Sequence, residues 1–205
     1  MSSSDQPIVI GYDGSDNARR AIEHTAALFP GRRATVACLW HSLAEMMLRG
    51  ALGMTEALRE AADEVDAADA EAGQQIAEQG ATLAGQAGLV AEPYSTRIDK
   101  NVWSTLLGLA DDQQAAFVVV GQRGQPSVEA ALLGSVSHGV LHHSERPVLV
   151  VPNSEVQADP GPLLLCYDGS EASERAIAEG RLLPAPLHDR GAYRALNNPA
   201  DAAAA

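Results

Sequence analysis

The strongest constraint on the fold is a regular alternation of short apolar runs with longer segments of helical pattern. Five apolar runs are predicted strands, at residues 7–12, 34–40, 89–96, 116–120 and 147–151. Helical patterns lie between them, at residues 16–29, 55–85, 101–111 and 135–143. Most of the runs are continuously apolar, which is typical of strands covered on both faces. The alternation predicts a Rossmann-like α/β fold, an open and mostly parallel five-stranded sheet with helices on both faces.

Charge and composition exclude several classes of protein. The net charge is −13 and the acidic residues concentrate between residues 56 and 78, so the surface would repel nucleic acid. The first residues have neither a basic region nor an apolar stretch, and we expect no signal peptide, no membrane span and a cytoplasmic location. Cys38 and Cys166 lie in separate apolar runs without metal-ligand spacing, and we expect buried thiols.

A glycine motif follows the fourth predicted strand. Gly121 and Gly124 come directly after that strand, and the pair Gly134-Ser135 opens the next helical segment, giving the spacing G-x-x-G-x9-G-S. Glycines allow the backbone to approach a ligand closely, and the free N–H groups at a helix start attract anions. The motif therefore predicts a phosphate site, held mostly by backbone N–H groups together with the hydroxyl of Ser135 or Ser137.

The absence of several catalytic motifs argues against hydrolysis of a bound phosphate. The chain has no G-x-x-x-x-G-K-[ST] sequence, so it lacks the lysine that grips phosphate in many NTPases, and Arg123 is the one basic residue inside the motif. No general base or nucleophile is evident beside the phosphates, and the G-x-S-x-G spacing of serine hydrolases is absent. His138 and His142 have an i, i+4 spacing without a third ligand, and we interpret them as histidines near a helix end.

Asp13 ends the first predicted strand within the sequence Tyr-Asp-Gly-Ser. In an open parallel sheet, ligands bind beyond the carboxyl ends of the strands, where the strand order reverses. If the first and fourth strands are neighbours there, Asp13 faces the glycine motif and can bind ribose hydroxyls, polar base atoms or a metal. The alternative is a turn that leads into a helix cap.

The chain also contains an internal repeat. The sequence Tyr-Asp-Gly-Ser of residues 12–15 returns at residues 167–170, and Arg-Ala-Ile returns at the same offset. The repeat predicts four parts: a complete domain at 1–152 with the phosphate site, a linker at 153–161, a truncated second repeat at 162–183, and a disordered tail rich in proline and alanine at 184–205. The apolar segment 163–167 has no domain of its own and is a candidate to extend a sheet edge.

Taken together, these residues resemble the universal stress protein family, UspA-like and of the ATP-binding branch. The resemblance covers about residues 6–152, with the beginning of a second copy at 162–183. It depends on Asp13, on the complete glycine motif, and on the segment 134–151 that continues into the last strand. It implies a fold like that of the adenine nucleotide alpha hydrolases, with strand order 3-2-1-4-5, a homodimer formed through the last strand, and ATP bound at the strand ends.

The resemblance also implies roles for individual residues. Gly11, Tyr12 and Asp13 would contact the adenosine, and the backbone of Leu39 would contact adenine, although Leu39-Trp40 stands where many members have His-Val. Gly121 and Gly124 would lie against ribose and phosphate. The phosphates themselves would be bound by four consecutive residues, namely Gly134, Ser135, Val136 and Ser137.

The resulting prediction is an ATP-binding regulatory or stress-response protein that changes its shape or its partners when nucleotide binds, with or without Mg²⁺ or Mn²⁺. Two alternatives stay open. One is a dimeric stress protein that binds no nucleotide and acts through protein partners, and the other is a slow ATPase.

Overall fold

The computed structural model describes residues 6–42, 56–122, 133–153 and 167–179, and these ranges divide between two compact units, 1–156 and 157–205. The first unit contains five strands: β1 (Ile8–Gly11), β2 (Arg33–Trp40), β3 (Val90–Arg97), β4 (Phe117–Gly121) and β5 (Val148–Val151). Its helices are α1 (Asp16–Leu28), α2 (Glu56–Gln86), α3 (Val102–Asp112) and α4 (Ser135–His143). The second unit contributes α5 (Glu171–Glu179). None of the helices in these ranges is long and apolar enough to cross a membrane.

The five strands form one parallel sheet of order β3-β2-β1-β4-β5, which confirms the predicted fold. β1 is central and pairs with β2 on one side and with β4 on the other. The chain first winds outward from β1 through β2 to β3 and then returns to β4, so the winding direction reverses between β1 and β4. This reversal opens a crevice at the carboxyl ends of those two strands.

Helices cover both faces of the sheet. On one face, α3 and α4 pack on an apolar cluster that includes Val9, Val118, Leu106 and Val140. On the other face, α1 and the long helix α2 pack on the sheet. Gly80 allows α2 to approach closely, because a Cβ atom there would lie 2.6 Å from Cδ1 of Tyr12. The buried central strands are therefore enclosed by two helical layers.

The edge strand β3 differs from the expectation of a fully covered sheet. Most of its residues are exposed or half-buried, including Val90 at 58% and Tyr94 at 37% exposure. β3 pairs on one side with β2 and ends the sheet there, so no further strand covers it within the described residues. Its polar residues and Pro93 suit an edge position, where a proline interrupts no necessary ladder hydrogen bond.

Candidate functional site

A cavity of about 250 Å³ lies at the carboxyl ends of β1, β2 and β4, at the reversal in strand order. The first turns of α3 and α4 complete its wall. Nine of the ten predicted binding residues line this cavity: Gly11, Tyr12, Asp13, Leu39, Gly121, Gly134, Ser135, Val136 and Ser137. The tenth, Gly124, lies outside the described residues. The structure thus brings the end of β1 and the start of α4 to one place, although they are more than a hundred residues apart in sequence.

The interior of the cavity is largely apolar. Sequence reasoning missed the side chains that form this part: Ala18, Ala37, Val102, Leu106 and Val120. Gly11 keeps the space open, because a Cβ atom at this position would lie 3.3 Å from Cδ2 of Leu106. Apolar side chains of this kind suit a flat ring such as a nucleobase. The sequence signal that could have identified Leu106 is its position on the apolar face of the helix that follows β3.

Asp13 lines the cavity, and its carboxylate is held by a local turn. The backbone N–H of Ser15 donates to Asp13 Oδ1 at 3.0 Å, and Gly14 supports the turn with a φ of +78°. The hydroxyl of Ser15 then accepts from the N–H of Ala18 at 3.2 Å and caps α1. The turn occupies one carboxylate oxygen with a single backbone donor and leaves further acceptor positions on the carboxylate.

The second unit repeats this turn in detail. The N–H of Ser170 donates to Asp168 Oδ1 at 2.9 Å, and Gly169 has a φ of +81°. Hydrogen bonds from Ser170 also lower the pKa of Asp168 below its ordinary value. The Asp-Gly-Ser turn is therefore a local structure that forms in both copies. What distinguishes Asp13 is the cavity beside it.

The start of α4 presents backbone N–H groups to the cavity. Gly134 is the N-cap residue, and within the described residues no side chain caps the N–H groups that follow it. Ser135, Val136 and Ser137 form the first turn, where backbone N–H groups have no partner inside the helix. All three line the cavity. The positive end of a helix dipole together with these donors favours an anion at this wall.

The loop between β4 and α4 is closed at its base by Gln122. The carbonyl oxygen of Gln122 accepts from the N–H of Gly134 at 2.9 Å and from the hydroxyl of Ser137 at 2.9 Å. Its N–H donates to the carbonyl of Val151 at 2.7 Å, which ties the loop to the end of β5. The hydroxyl of Ser137, predicted as a phosphate donor, is thus engaged inside the protein. Its residue is only 1% exposed.

Tyr12 lines the cavity, but its ring also extends to the face covered by α2. Cys38 lies between the cavity-lining residues Ala37 and Leu39 and points to the other face of the sheet, because side chains alternate along a strand. The ring of Tyr12 packs against Gly80. Burial, and after it the charge of Asp13, raises the pKa of Tyr12 above its ordinary value. The same two causes, in the same order, raise the pKa of the Cys38 thiol to about 11. Both groups are protonated at neutral pH, so neither offers an ionised nucleophile there.

No group of three or more metal-ligating side chains occurs in the described parts of the chain. Asp13 is the carboxylate of the cavity, and the donors beside it are backbone groups and serine hydroxyls.

The order of the sheet and the cavity at its reversal define a Rossmann-like α/β domain. Residues 6–152 match the family model described as the Universal stress protein family, and the chain belongs to this family. The matched range contains every described residue that lines the cavity.

Two curated relatives illustrate the similarity. Universal stress protein Rv1996 of Mycobacterium tuberculosis is 36% identical over 104 residues, which is 48% of this chain and 32% of the relative. Universal stress protein YxiE of Bacillus subtilis is 26% identical over 145 residues, 70% of this chain and 97% of the relative. The chain therefore spans about a third of the mycobacterial relative and nearly all of the shorter Bacillus protein.

Solved structures share the fold. Hypothetical protein MJ0577 superposes with a TM-score of 0.58 at 19% identity, covering 75% of this chain and 99% of that one. A universal stress protein in complex with cAMP superposes with a TM-score of 0.50 at 23% identity, covering 74% of this chain and 99% of that one.

Proposed function

We propose that the domain binds an adenine nucleotide, ATP, in the cavity at the ends of β1, β2 and β4, and that the bound nucleotide regulates the protein's shape or partners. The observation that carries the proposal is the composition of the cavity wall. The wall combines apolar side chains, the uncapped start of α4 and the carboxylate residue Asp13. A nucleotide has the same three parts: an apolar base, a polar sugar and an anionic phosphate chain.

The parts of the ligand follow from the chemistry of each wall. The base enters the slot formed by Leu39, Val102 and Leu106. Asp13 accepts hydrogen bonds from the ribose hydroxyls, because a carboxylate would repel the phosphates. The phosphates lie against the N–H groups at residues 135–137 and near Gly121, with Mg²⁺ or Mn²⁺ as a candidate companion. The cAMP complex of another universal stress protein supports an adenine nucleotide as the ligand class.

The residues of the cavity wall are suited to binding ATP rather than to hydrolysing it. The donors against the phosphates are backbone N–H groups and a serine hydroxyl, and Tyr12 and Cys38 are protonated at neutral pH. Backbone donors stabilise bound phosphate without activating water. We therefore propose a binding and regulatory role for the site.

Isothermal titration calorimetry of the whole chain with ATP, with and without Mg²⁺, tests the proposal. We expect binding in the micromolar to low millimolar range. Asp13→Asn should weaken it about tenfold or more, because hydrogen bonds to a charged acceptor contribute roughly 1.5–3 kcal/mol. The asparagine oxygen can still accept from Ser15, so the turn is kept. Asp168→Asn makes the same change in the same turn of the second unit and should leave affinity unaltered.

An absence of ATP binding by the wild-type chain would refute the proposal. Equal losses in Asp13→Asn and Asp168→Asn would also contradict it, because the effect would then arise from the turn rather than from the cavity.

We also propose that two copies associate through β5. This strand pairs with β4 on one side and ends the sheet within the described parts of the chain, and Val148, Leu149 and Val150 are each half-buried in the single chain. An unpaired parallel edge with apolar side chains is a template for another strand. Sedimentation equilibrium should give the mass of two chains, and a monomer at micromolar concentration would contradict the dimer.

A further inference from the structure

Ser137 occupies an unusual position for a residue of a ligand-binding turn. It is the third residue of α4 and lines the cavity, but it is only 1% exposed. Its hydroxyl lies 2.9 Å from the carbonyl oxygen of Gln122 and 3.0 Å from that of Gly134. A serine hydroxyl has one proton to donate, and both of these neighbours are acceptors. The proton is therefore committed to the protein backbone, and it is not available to a phosphate.

The Gln122 carbonyl, one of these two acceptors, joins the two ends of the glycine loop. Gln122 directly follows β4, and Gly134 directly precedes α4. The Gly134 N–H also donates to the Gln122 oxygen at 2.9 Å, so two donors from the start of α4 meet one acceptor at the end of β4. We call this contact the loop neck, formed by Gln122, Gly134 and Ser137.

The loop neck determines where the N–H groups of α4 point. With Gly134 and Ser137 both attached to Gln122, the first turn of α4 has a fixed position relative to the end of β4. Gln122 is itself attached to β5 through the carbonyl of Val151 at 2.7 Å. Backbone donors stabilise an anion well only when they are already oriented before the anion arrives.

We propose that Ser137 is a positioning residue of the phosphate site: its hydroxyl holds the start of α4 against Gln122 and thereby orients the N–H groups of the first turn. This inference rests on the proposed nucleotide function. It assigns Ser137 and Ser135 different tasks, because the exposed Ser135 begins the helix with no hydroxyl bond into the loop neck among the described residues. Ser135 is the serine whose hydroxyl is free to meet the ligand.

The experiment compares Ser137→Ala with the matched variant Ser135→Ala in the whole chain. Hydrogen exchange followed by NMR reports the protection of the Gly134 amide without ligand. Calorimetry measures affinity for ATP and for adenosine, which lacks phosphates. Ser137→Ala should accelerate Gly134 exchange at least about fivefold, the equivalent of one typical net hydrogen bond. It should weaken ATP binding by a similar factor and change adenosine affinity less than about twofold. Ser135→Ala should weaken ATP without changing exchange in the free protein.

Two results overturn the inference even if the wild type binds ATP. Unchanged Gly134 exchange in Ser137→Ala would show that the hydroxyl does not hold the loop neck, whatever happens to affinity. Faster exchange with unchanged ATP affinity would show that the loop neck does not orient the site. Failure of the wild type to bind ATP would refute the proposed function and, with it, the positioning role, and the exchange result would still report whether the neck exists. If Ser137→Ala does not fold, Ser137→Cys keeps the volume with a weaker donor and should show the same two effects in the same direction.

Discussion

Replacing Gly139 by alanine should destabilise the domain, although the same change usually stabilises a helix. Gly139 is buried in α4, and a Cβ atom there would lie 2.2 Å from Cδ1, 2.4 Å from Cγ and 2.9 Å from Cβ of Trp103. Rotation of the indole cannot relieve the last contact, because Cβ is attached directly to the backbone of α3. The ring is also stacked on His143, with 4.2 Å between the ring centroids. The two helices must therefore move apart.

The size of the effect follows from two opposing contributions. Alanine gains about 1 kcal/mol over glycine in a helix interior. Overpacking costs roughly 1–3 kcal/mol and occasionally more, and three contacts below 3.0 Å place this site at or above the upper end. We expect a net loss of about 2 kcal/mol of unfolding free energy, which lowers a urea midpoint by about 1 M if the m-value is near 2 kcal/mol/M.

Gly108→Ala is the matched control. Gly108 lies within α3, and a Cβ atom there would meet nothing within 4 Å. This variant keeps the gain in helix propensity without the collision, so it should raise the unfolding free energy by up to about 1 kcal/mol. Urea unfolding followed by far-ultraviolet circular dichroism measures both variants. The reasoning is refuted if Gly139→Ala proves as stable as Gly108→Ala, because the close packing of Trp103 would then have no energetic consequence.

Two further predictions concern buried polar groups. Arg146 donates to the buried carbonyl of Ala115 at 2.7 Å, so Arg146→Ala should cost about 1–2 kcal/mol of unfolding free energy. Arg19→Ala removes two exposed intrahelical ion pairs and should lower the thermal midpoint much less, so equal thermal shifts would contradict this reasoning. Burial raises the Cys38 pKa from 9.0 to about 11. The contribution of the buried, protonated thiol to the unfolding free energy is therefore complete below pH 9 and is lost as pH rises through 11. In a Cys166→Ala background, iodoacetamide should label native Cys38 far more slowly than the unfolded chain at pH 8, and equal rates would argue against a buried, protonated thiol.

The agreement between sequence and structure is closest where the signal is local or repeated. The predicted ends of the helices differ from the observed ones by one residue or less, as for α1, where the hydroxyl of Ser15 caps the first turn as expected. The two Asp-Gly-Ser turns have the same hydrogen bonds because the turn involves only neighbouring residues. The composition of the cavity wall was only partly predictable. Val102 and Leu106 join it because of where α3 packs, and no motif marks them.

Ser137 illustrates the same limit at a single side chain. Taken alone, the local sequence predicts that Ser137 donates to a phosphate, because a hydroxyl in the first turn of a helix that follows a glycine is accessible to an anion. The structure places the carbonyl of Gln122, fifteen residues earlier, within hydrogen-bonding distance. A hydroxyl donates to the acceptor that is nearest and least solvated, and that acceptor came from another element of the fold.

The sequence by itself determined the succession of strands and helices along the chain, the parallel sheet and the presence of a glycine motif after a buried strand. Each of these depends on periodicity, on capping or on backbone freedom, which act over a few residues. The tertiary structure alone decided that Val102 and Leu106 join the cavity wall, that Gln122 engages the hydroxyl of Ser137, and that β3 is an exposed edge. The physical reason is that burial of apolar surface is non-directional and acts between distant segments, so the neighbours of a side chain are fixed only when the sheet and its two helical layers are assembled.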